Sequence, residues 1–245
     1  MAEGHPSQKR LEEQRNDLQL LNQVMRHDIR NDLQLIGAYA ELLEEHVDED
    51  GKEYLEVIKE STESATDLTT SARDLARVML STEQETRSVS LGAVLEQQLE
   101  EIRSGYPGAV IQVDGSLPNV EVTGNDMLGS VFRNLLSNAI QHNDKNPPKV
   151  TVSAAESEGF VEVRVADNGP GIPDAQKEEI FGKGEKGLES SGAGIGLYLV
   201  QSLIEGYDGE VWVEDRGDRP LPDDQSPPDG NPEGAVFVVT LPIAE

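Results

Sequence analysis

The chain of 245 residues contains no cysteine, only 4% aromatic residues, and far fewer basic than acidic residues. The lack of cysteine excludes disulfides and thiolate metal sites. Against 47 Asp and Glu there are 20 Lys and Arg, and the net charge of −27 repels nucleic acid and anionic lipid. No apolar run approaches the ~20 residues that span a bilayer, and no signal peptide is visible. We therefore expect a cytoplasmic protein with no nucleic-acid partner and no direct membrane insertion.

The acidic residues are spread along the whole chain rather than confined to one tail. Proteins that work in concentrated salt show this distribution, because salt screens the repulsion within about 10 Å at 0.1 M and over shorter distances above that. We interpret the composition as halophilic, and the alternative is an ordinary acidic protein. In either case a site for an anionic nucleotide would need local cations or a metal ion.

The first third of the chain has the periodicity of two long amphipathic helices. From about residue 9 to 47 and again from 54 to 79, apolar residues recur every three or four positions, and the turn 46–53 separates the two runs. This pattern predicts an antiparallel helical hairpin. A lone hairpin would leave both apolar stripes half exposed, so we expect a homodimer in which two hairpins form a four-helix bundle.

After a polar linker at about 83–88 the periodicity changes to mixed strands and helices. Strands are predicted in AVIQV, NVEV, KVTVSAA, FVEVRVAD, EVWVED and AVFVVTLP, and helices in SLGAVLEQQLEEI, residues 125–143 and GIGLYLVQSLIEGY. The pattern predicts a helical domain at 1–82 and an α/β two-layer sandwich at 89–245. An acidic, proline-rich insert at about 217–234 separates the last two strands and is predicted to be disordered.

Three short motifs in the second domain are each weak evidence alone. DNGPGI at 167–172 follows a strand, and its glycines let the backbone approach a ligand, but Asn-Gly-Pro-Gly is also an ordinary turn. GAGIGL at 192–197 opens a helix, where free N–H groups suit phosphate, although the Rossmann spacing is absent. Asn134 and Asn138 are four apart on one helix and can hold a metal ion or phosphate oxygens. An isolated pair of this kind is more often a polar helix face.

In this order and spacing, the stretches NLLSNAIQHN, DNGPGI, IFGKG and GAGIGL resemble the ATP-binding domain of sensor histidine kinases and the gyrase, Hsp90 and MutL group. RHDIRNDL at 26–33, on the predicted hairpin, resembles the phosphoacceptor box of histidine kinases. The resemblance covers roughly residues 15 to 245 and identifies the chain as a member of the sensor histidine kinases. Together with the acidic composition it points to a halophilic archaeon, and we expect an upstream sensor domain that this chain does not contain.

The resemblance makes His27 the nucleophile that attacks the γ-phosphate of ATP, and the phosphoryl group then passes to an aspartate of a response regulator receiver domain. Periodicity places His27 on the polar face of its helix, where a separate domain can reach it. Asp28 is implied as the general base that hydrogen-bonds the imidazole. Asn31 stands where similar kinases position the water that dephosphorylates the regulator. Asn31 is compatible with this phosphatase reaction, but it does not determine whether the kinase or the phosphatase activity predominates.

The resemblance also implies the nucleotide site. Asp167 is expected to accept a hydrogen bond from the adenine amino group, Asn138 to ligate Mg²⁺, and Asn134 to approach the phosphates or the metal. The loop at about 173–191 is implied to be a mobile lid with Phe181 as its aromatic residue. The remaining positions expected to contact the nucleotide are Gly169, Gly171, Ile172, Gly192, Gly194, Gly196 and Leu197.

Gln141 and His142 depart from the family pattern, in which Lys or Arg and then an aromatic residue are common. Lys183 or Lys186 in the lid is therefore expected to supply the missing cation, and His142 to stack on adenine. Two other functions compete with this one. A catalytically inactive nucleotide-binding scaffold is disfavoured by the intact motif residues, and a gyrase- or Hsp90-like ATPase would lack the histidine hairpin.

Overall fold

The computed structural model describes residues 29–80, 85–182, 193–217 and 233–244. The chain divides into two compact units, Met1–Leu80 and Ser81–Glu245. The first is helical in its described part, and the second combines strands and helices. This confirms the predicted order of a helical hairpin followed by an α/β sandwich.

Two helices make up the described part of the first unit. Helix α1 covers residues 29–44 and helix α2 covers Glu49–Leu80. Between them Asp48 Oδ1 accepts a hydrogen bond from the main-chain N of Gly51 at 3.0 Å, which caps the start of α2. The connection is shorter than the predicted turn 46–53, because this cap lets α2 begin several residues earlier than the apolar periodicity indicated.

The two faces of the hairpin differ in burial. Ala40 on α1 and Leu55 on α2 are buried, and Gly37 lies against the side chain of Thr62. Most large side chains of the apolar stripes predicted to contact a second copy are nevertheless exposed in the single chain, namely Ile29, Ile36, Leu43, Tyr54, Ile58, Leu68 and Met79. The hairpin therefore carries an outward apolar surface that its own two helices do not cover.

The second unit is built on a five-stranded sheet with the strand order β2-β4-β5-β7-β6. The strands are β2 (Val110–Asp114), β4 (Lys149–Ser157), β5 (Phe160–Asp167), β6 (Glu210–Asp215) and β7 (Ala235–Pro242). Strands β2 and β4 are parallel, and the other neighbours are antiparallel. A separate two-stranded sheet pairs β1 (Arg87–Ser90) with β3 (Glu121–Gly124).

Three long helices accompany the sheet: α3 (Leu91–Gly105), α4 (Leu128–Gln141) and α6 (Ala193–Gly206). Helices α4 and α6 contact each other and the sheet strands. Their core side chains are fully buried, as are Val161, Val163 and Val165 on β5. This packing leaves Asp167, the last residue of β5, beside α4 at the end of the sheet.

Two predictions of local structure need revision, and a third lies mostly outside the described residues. Arg87 and Ser88, assigned to the polar linker 83–88, form the start of β1, where Ser88 Oγ donates to Glu121 Oε2 at 2.7 Å and Arg87 pairs with Asp126. Polar cross-strand contacts of this kind leave no apolar signal in the sequence. The predicted lid contains the short helix α5 (Asp174–Lys177) and a 3₁₀ turn at Glu179–Phe181. Of the predicted insert 217–234, residues 218–232 lie outside the described residues.

Within the residues that the structure describes, no helix is both long and apolar enough to cross a lipid bilayer.

Candidate functional site

A cavity of about 170 Å³ opens in the second unit between α4, the end of β5 and the start of β7. Its walls are mainly apolar, with one carboxylate, one amide and one imidazole among them. The lining residues are Asn138, Ala139, His142, Asp167, Pro170, Gly171, Ile172, Ile180, Leu197, Ala235 and Phe237. An apolar slot with a few polar groups is typical of a site for a small organic ligand.

Asp167 holds the only carboxylate among the lining residues, and it is only 7% exposed. Its Oδ1 accepts hydrogen bonds from the main-chain N of Gly169 at 2.8 Å and of Ala235 at 3.2 Å. These bonds fix the carboxylate and leave Oδ2 as the oxygen that a ligand donor can use. Burial raises the pKa of Asp167, whereas the two N–H donors and the nearby charge of Arg216 lower it, and burial dominates.

The loop after Asp167 needs glycine at one position for a conformational reason. Gly171 has a φ of +74°, which side chains rarely tolerate, and a Cβ there would lie 3.4 Å from the main-chain O of Gly234. Gly171 therefore lets the loop turn back along the cavity and contribute both Gly171 and Ile172 to its wall. The neighbouring Asn168 accepts hydrogen bonds from Asn143 Nδ2 at 2.9 Å and from Lys149 N at 2.7 Å, which hold the loop to α4 and β4.

The two asparagines of α4 occupy different environments. Asn138 lines the cavity, and its Nδ2 is buried without a hydrogen-bond partner. Asn134, one turn earlier, donates from Nδ2 to the main-chain O of Ser130 at 2.7 Å. A Cβ on Gly196 would lie 2.6 Å from Asn134 Oδ1, so glycine there allows α6 to approach α4. Asn138 is thus the amide available to a ligand, because a buried polar group without a partner carries an energetic cost that a bound group can remove.

The first part of the predicted lid is held against the sheet. The ring of Phe181 meets that of Phe237 edge to face, with centroids 6.2 Å apart. Lys177 Nζ lies 2.6 Å from Asp174 Oδ1 and 2.8 Å from Asp215 Oδ2 at the end of β6. These two carboxylates raise the pKa of Lys177. Residues 174–181 therefore form a fixed wall of the cavity, to which Ile180 contributes.

Six of the residues predicted to bind nucleotide line this cavity: Asn138, His142, Asp167, Gly171, Ile172 and Leu197. Three further predicted residues do not line the cavity but contact residues near it. Gly169 N donates to Asp167 Oδ1, and the ring of Phe181 packs on that of Phe237. Asn134 lies close to Gly196. Gly194 and Gly196 fall in the first turn of α6. Asn31 is exposed on α1. The predicted residues His27, Asp28, Lys183, Lys186 and Gly192 lie outside the described residues.

Two lining residues on β7, Ala235 and Phe237, were not predicted from the sequence. They follow Asp167 by about seventy residues and belong to no motif. They reach the cavity because β7 pairs directly with β5, with Val165 opposite Phe237. The alternating run AVFVVTLP indicated a strand but not its neighbour in the sheet.

The polar groups of the cavity suit a purine better than a protein-held metal. Asp167 offers an acceptor at one end, and apolar side chains form the walls on which a flat ring can pack. Within the described ranges, no group of three or more His, Cys, Asp or Glu side chains could hold a metal ion. A divalent cation would therefore need ligand oxygens from the nucleotide in addition to Asn138, which agrees with the preference of Mg²⁺ for phosphates and water.

Comparison with known proteins places both units in described families. Residues 123–245 match the family of histidine kinase-, DNA gyrase B- and HSP90-like ATPases, and residues 17–81 match the His Kinase A (phospho-acceptor) domain. The first match covers half of the chain. An ATPase domain of this family implies ATP binding, and the phospho-acceptor domain supports dimerisation and a response-regulator partner in general terms.

Individual relatives agree with these matches. Phytochrome-like protein Cph1 of Synechocystis sp. is 29% identical over 250 residues, which is 96% of this chain and 30% of the relative. Adaptive-response sensory kinase SasA of Synechococcus sp. is 32% identical over 153 residues, or 61% of this chain and 40% of the relative. Full-length ShkA, solved in complex with AMPPNP, is 23% identical with a TM-score of 0.56, covering 91% of this chain and 46% of that chain.

The chain spans less than two thirds of the length of these relatives. The similarity to ShkA concerns the fold, and the two family models concern the chain's own residues. The phospho-acceptor match contains RHDIRNDL, and the ATPase match contains Asn138, Asp167 and the rest of the cavity. The chain therefore belongs to the histidine kinase-, DNA gyrase B- and HSP90-like ATPase family, and it joins that ATPase domain to a His Kinase A (phospho-acceptor) domain.

Proposed function

We propose that this protein is an ATP-dependent protein histidine kinase that phosphorylates itself on His27. The observation that carries the proposal is the pairing of two features in one chain. The cavity offers Asp167 Oδ2 as an acceptor and the buried Nδ2 of Asn138 as a donor without a partner, and the hairpin unit carries the phosphoacceptor sequence RHDIRNDL.

In this proposal the adenine of ATP occupies the apolar part of the cavity. Its exocyclic amino group donates to Asp167, whose other oxygen is already held by main-chain N–H groups of Gly169 and Ala235. Ile172 and Leu197 provide apolar contact with the ring, and His142 stacks at the α4 side. The structural relative ShkA was solved in complex with AMPPNP, which supports an adenine nucleotide as the ligand here.

Asn138 is proposed to hold Mg²⁺ next to the phosphates, together with phosphate oxygens and water. Bound Mg²⁺ supplies positive charge that offsets the repulsion between the triphosphate and a protein of net charge −27. Lys183 and Lys186 are proposed as further cations near the phosphates, and Gly192, Gly194 and Gly196 as the glycines that give the phosphates room.

The proposed reaction is a phosphoryl transfer in which an imidazole nitrogen of His27 attacks the γ-phosphorus. The bond from the γ-phosphorus to the bridging oxygen breaks and ADP leaves, while Asp28 takes the ring proton as general base. The phosphoryl group then passes to an aspartate of a response regulator. Asn31, exposed on α1, is proposed to position the water that hydrolyses the phosphorylated regulator, which is the phosphatase reaction.

Several further assignments are part of this proposal. We assign the phosphotransfer and dimerisation domain to residues 1–82 and the catalytic domain to 89–245. The exposed apolar side chains of the hairpin support a homodimer. We further propose a cytoplasmic protein, and the uniform acidity supports an origin in a halophilic archaeon. The short coverage of the relatives supports a sensor domain upstream in the complete protein.

The test is incubation of the purified chain with γ-labelled ATP and Mg²⁺, followed by acid and base treatment of the labelled protein. Label that is acid-labile and base-stable, present in wild type and absent in His27→Ala, is the expected result. His46→Ala is the matched control, because His46 is a second hairpin histidine whose ring contacts the main-chain O of Leu42. Label that persists in His27→Ala would overturn the assignment of the phosphoacceptor.

A further inference from the structure

Arg216 reaches the Asp167 end of the cavity from the residue just after β6. Its Nη1 donates a hydrogen bond to the main-chain O of Asp167 at 3.1 Å. Its own main-chain N donates to the main-chain O of Gly234 at 3.2 Å. A single residue thus joins the ends of β5, β6 and the start of β7 at the point where the carboxylate of Asp167 is held.

The path of the Arg216 side chain depends on a glycine. A Cβ on Gly234 would lie 2.1 Å from the main-chain O of Asp167 and 3.3 Å from Cδ of Arg216. Gly234 also has a φ of +136°, which a residue with a side chain rarely adopts. The chain therefore has no side chain at the place where the arginine stem crosses to Asp167, and this makes the contact a specific feature of the fold.

Arg216 influences the charge of Asp167 as well as its position. Burial raises the pKa of Asp167, and the positive charge of Arg216 lowers it. The guanidinium bonds the main-chain carbonyl, so its effect on the carboxylate acts through space. Among the described residues, other charged or titratable groups toward this end include His142 on the cavity wall and the Lys145–Glu233 ion pair at 2.9 Å, whose Glu233 precedes Gly234.

The protonation state of Asp167 determines which purine fits. Oδ1 accepts two main-chain N–H donors, so a proton added to the carboxylate would sit on Oδ2, the oxygen that these two bonds leave for a ligand. The ionised carboxylate accepts a hydrogen bond from the amino group of adenine. The protonated group would repel that amino group and would donate to the carbonyl oxygen that guanine carries at the equivalent position.

We propose that Arg216 is a specificity-determining residue, which positions Asp167 as a hydrogen-bond acceptor and thereby makes the cavity select adenine over guanine nucleotides. The proposal rests on the proposed function, because it assumes that a purine nucleotide occupies this cavity. Arg216 acts through Asp167 and is a positioning residue with no proposed contact to the ligand.

The experiment is calorimetric titration of the full chain with ADP and with GDP between pH 5.5 and 8. These nucleotides bind without phosphoryl transfer. The variants are Arg216→Met, Arg216→Lys and the control Arg103→Met. Arg103 also donates from a guanidinium to a main-chain oxygen, that of Ile111 at 3.2 Å, so its loss removes the same charge and the same type of bond elsewhere in the unit.

Arg216→Met is expected to lower the ratio of ADP to GDP affinity, most strongly at the acid end of this range, because burial raises the pKa of Asp167 and the positive charge that opposes this rise is lost. The pH at which ADP binding weakens should rise relative to wild type. The titration of the ligand phosphates is the same for every variant, so it cancels when the ratios of the variants are compared. Arg216→Lys, which keeps the charge, should retain most of the selectivity, and Arg103→Met should match wild type.

A double-mutant cycle with Asp167→Asn separates this role from a general structural one. Asparagine cannot be protonated in this range, so adding Arg216→Met to it should leave the ADP-to-GDP ratio and its pH dependence unchanged. A wild type that binds neither nucleotide would overturn the proposed function and this proposal with it. Two outcomes would overturn this proposal alone, in a wild type that binds ADP. In one, Arg216→Met has the same ADP-to-GDP affinity ratio as the control Arg103→Met. In the other, Arg216→Lys loses as much selectivity as Arg216→Met.

Discussion

The ring of Phe181 packs edge to face on the ring of Phe237, with an interplanar angle of 81°. Phe181 belongs to the sequence predicted as a mobile lid, and Phe237 belongs to the sheet strand that lines the cavity. The contact therefore fixes the start of that segment to the rigid part of the unit, and it gives Phe181 a role in shaping the cavity wall.

Phe181→Ala should weaken nucleotide binding and lower the stability of the second unit. Phe181 is 5% exposed, and truncation of a buried phenylalanine costs about 3 kcal/mol or more. ATP affinity should fall because Ile180 and the 3₁₀ turn lose their anchor. Thermal melts and nucleotide titration measure the two effects. The control is Phe160→Ala, since Phe160 is 46% exposed at the far end of β5. Equal losses in both variants would contradict the assigned role.

Asp167→Asn should stabilise the nucleotide-free protein at neutral pH while it weakens ATP binding. The folded-state pKa of Asp167 is raised by burial above its unfolded value of about 3.8. The wild type is therefore relatively most stable below the unfolded pKa, and it loses this contribution as pH rises through the folded pKa. Asparagine can still accept from Gly169 N and Ala235 N through Oδ1.

The measurement is the melting temperature of wild type and Asp167→Asn without nucleotide at pH 4 and pH 7.5. The variant should melt at a higher temperature than wild type at pH 7.5, because asparagine avoids the burial of a charged carboxylate. The difference should shrink or reverse at pH 4. A difference that grows on acidification would have the wrong sign for a carboxyl group with a raised pKa.

Asn138→Ala should lose Mg²⁺-dependent nucleotide binding far more than metal-free binding. Its buried Nδ2 lacks a partner and the side chain lines the cavity, so the substitution removes the proposed metal ligand without breaking an existing hydrogen bond of that amide nitrogen. Titration with ATP in Mg²⁺ and in EDTA compares the two. Equal losses under both conditions would indicate a damaged helix α4 instead of a lost ligand.

The hairpin should form a homodimer through its exposed apolar surface. Charged side chains at Ile58 and Leu68, introduced together as Ile58→Asp and Leu68→Asp, should convert the dimer to a monomer. Lys52→Asp is the control. It changes the net charge by the same amount, but Lys52 lies outside the apolar stripe, in an ion pair with Glu49. Light scattering at micromolar protein in high salt gives the mass, and a monomeric wild type would refute the prediction.

Stability should rise with salt concentration. The 27 uncompensated negative charges repel one another more strongly in the compact state than in the expanded chain. The screening length falls from about 30 Å at 0.01 M to about 3 Å at 1 M, which removes most long-range repulsion. Thermal melts from 0.1 to 2 M KCl test this. A midpoint that stays flat over that range would mean that the acidity has no role in adaptation to salt.

Motif residues of the site could be predicted from sequence because their chemistry is local. Asp167 is followed within two to four residues by the glycines that shape its loop. Asn138 lies four residues after Asn134, which places both on one face of a helix. Arg216 carried no such signal. Its contact with Asp167 depends on the strand order, in which β7 lies beside β5 and β6 lies beside β7. This order cannot be inferred from the residues that neighbour Arg216 in sequence.

The helices and strands also differ in how well the sequence predicted them. The helices and most strands have apolar periodicity, and this predicted them. Strand β1 was missed because Arg87 and Ser88 are held by side-chain contacts with Asp126 and Glu121, more than thirty residues away. A single sequence contains no record of such pairs, and only the folded sheet brings them together.

The hydrogen bond from Arg216 N to Gly234 O also closes the base of the acidic insert. Because both ends of that segment are held on the sheet, its length can change without moving β6 or β7. The entropy of closing a loop grows only slowly with its length, by about 0.6 kcal/mol for each doubling. The strand ends at Arg216 and Gly234 are therefore a suitable place in this unit to join a fluorescent protein or an affinity module.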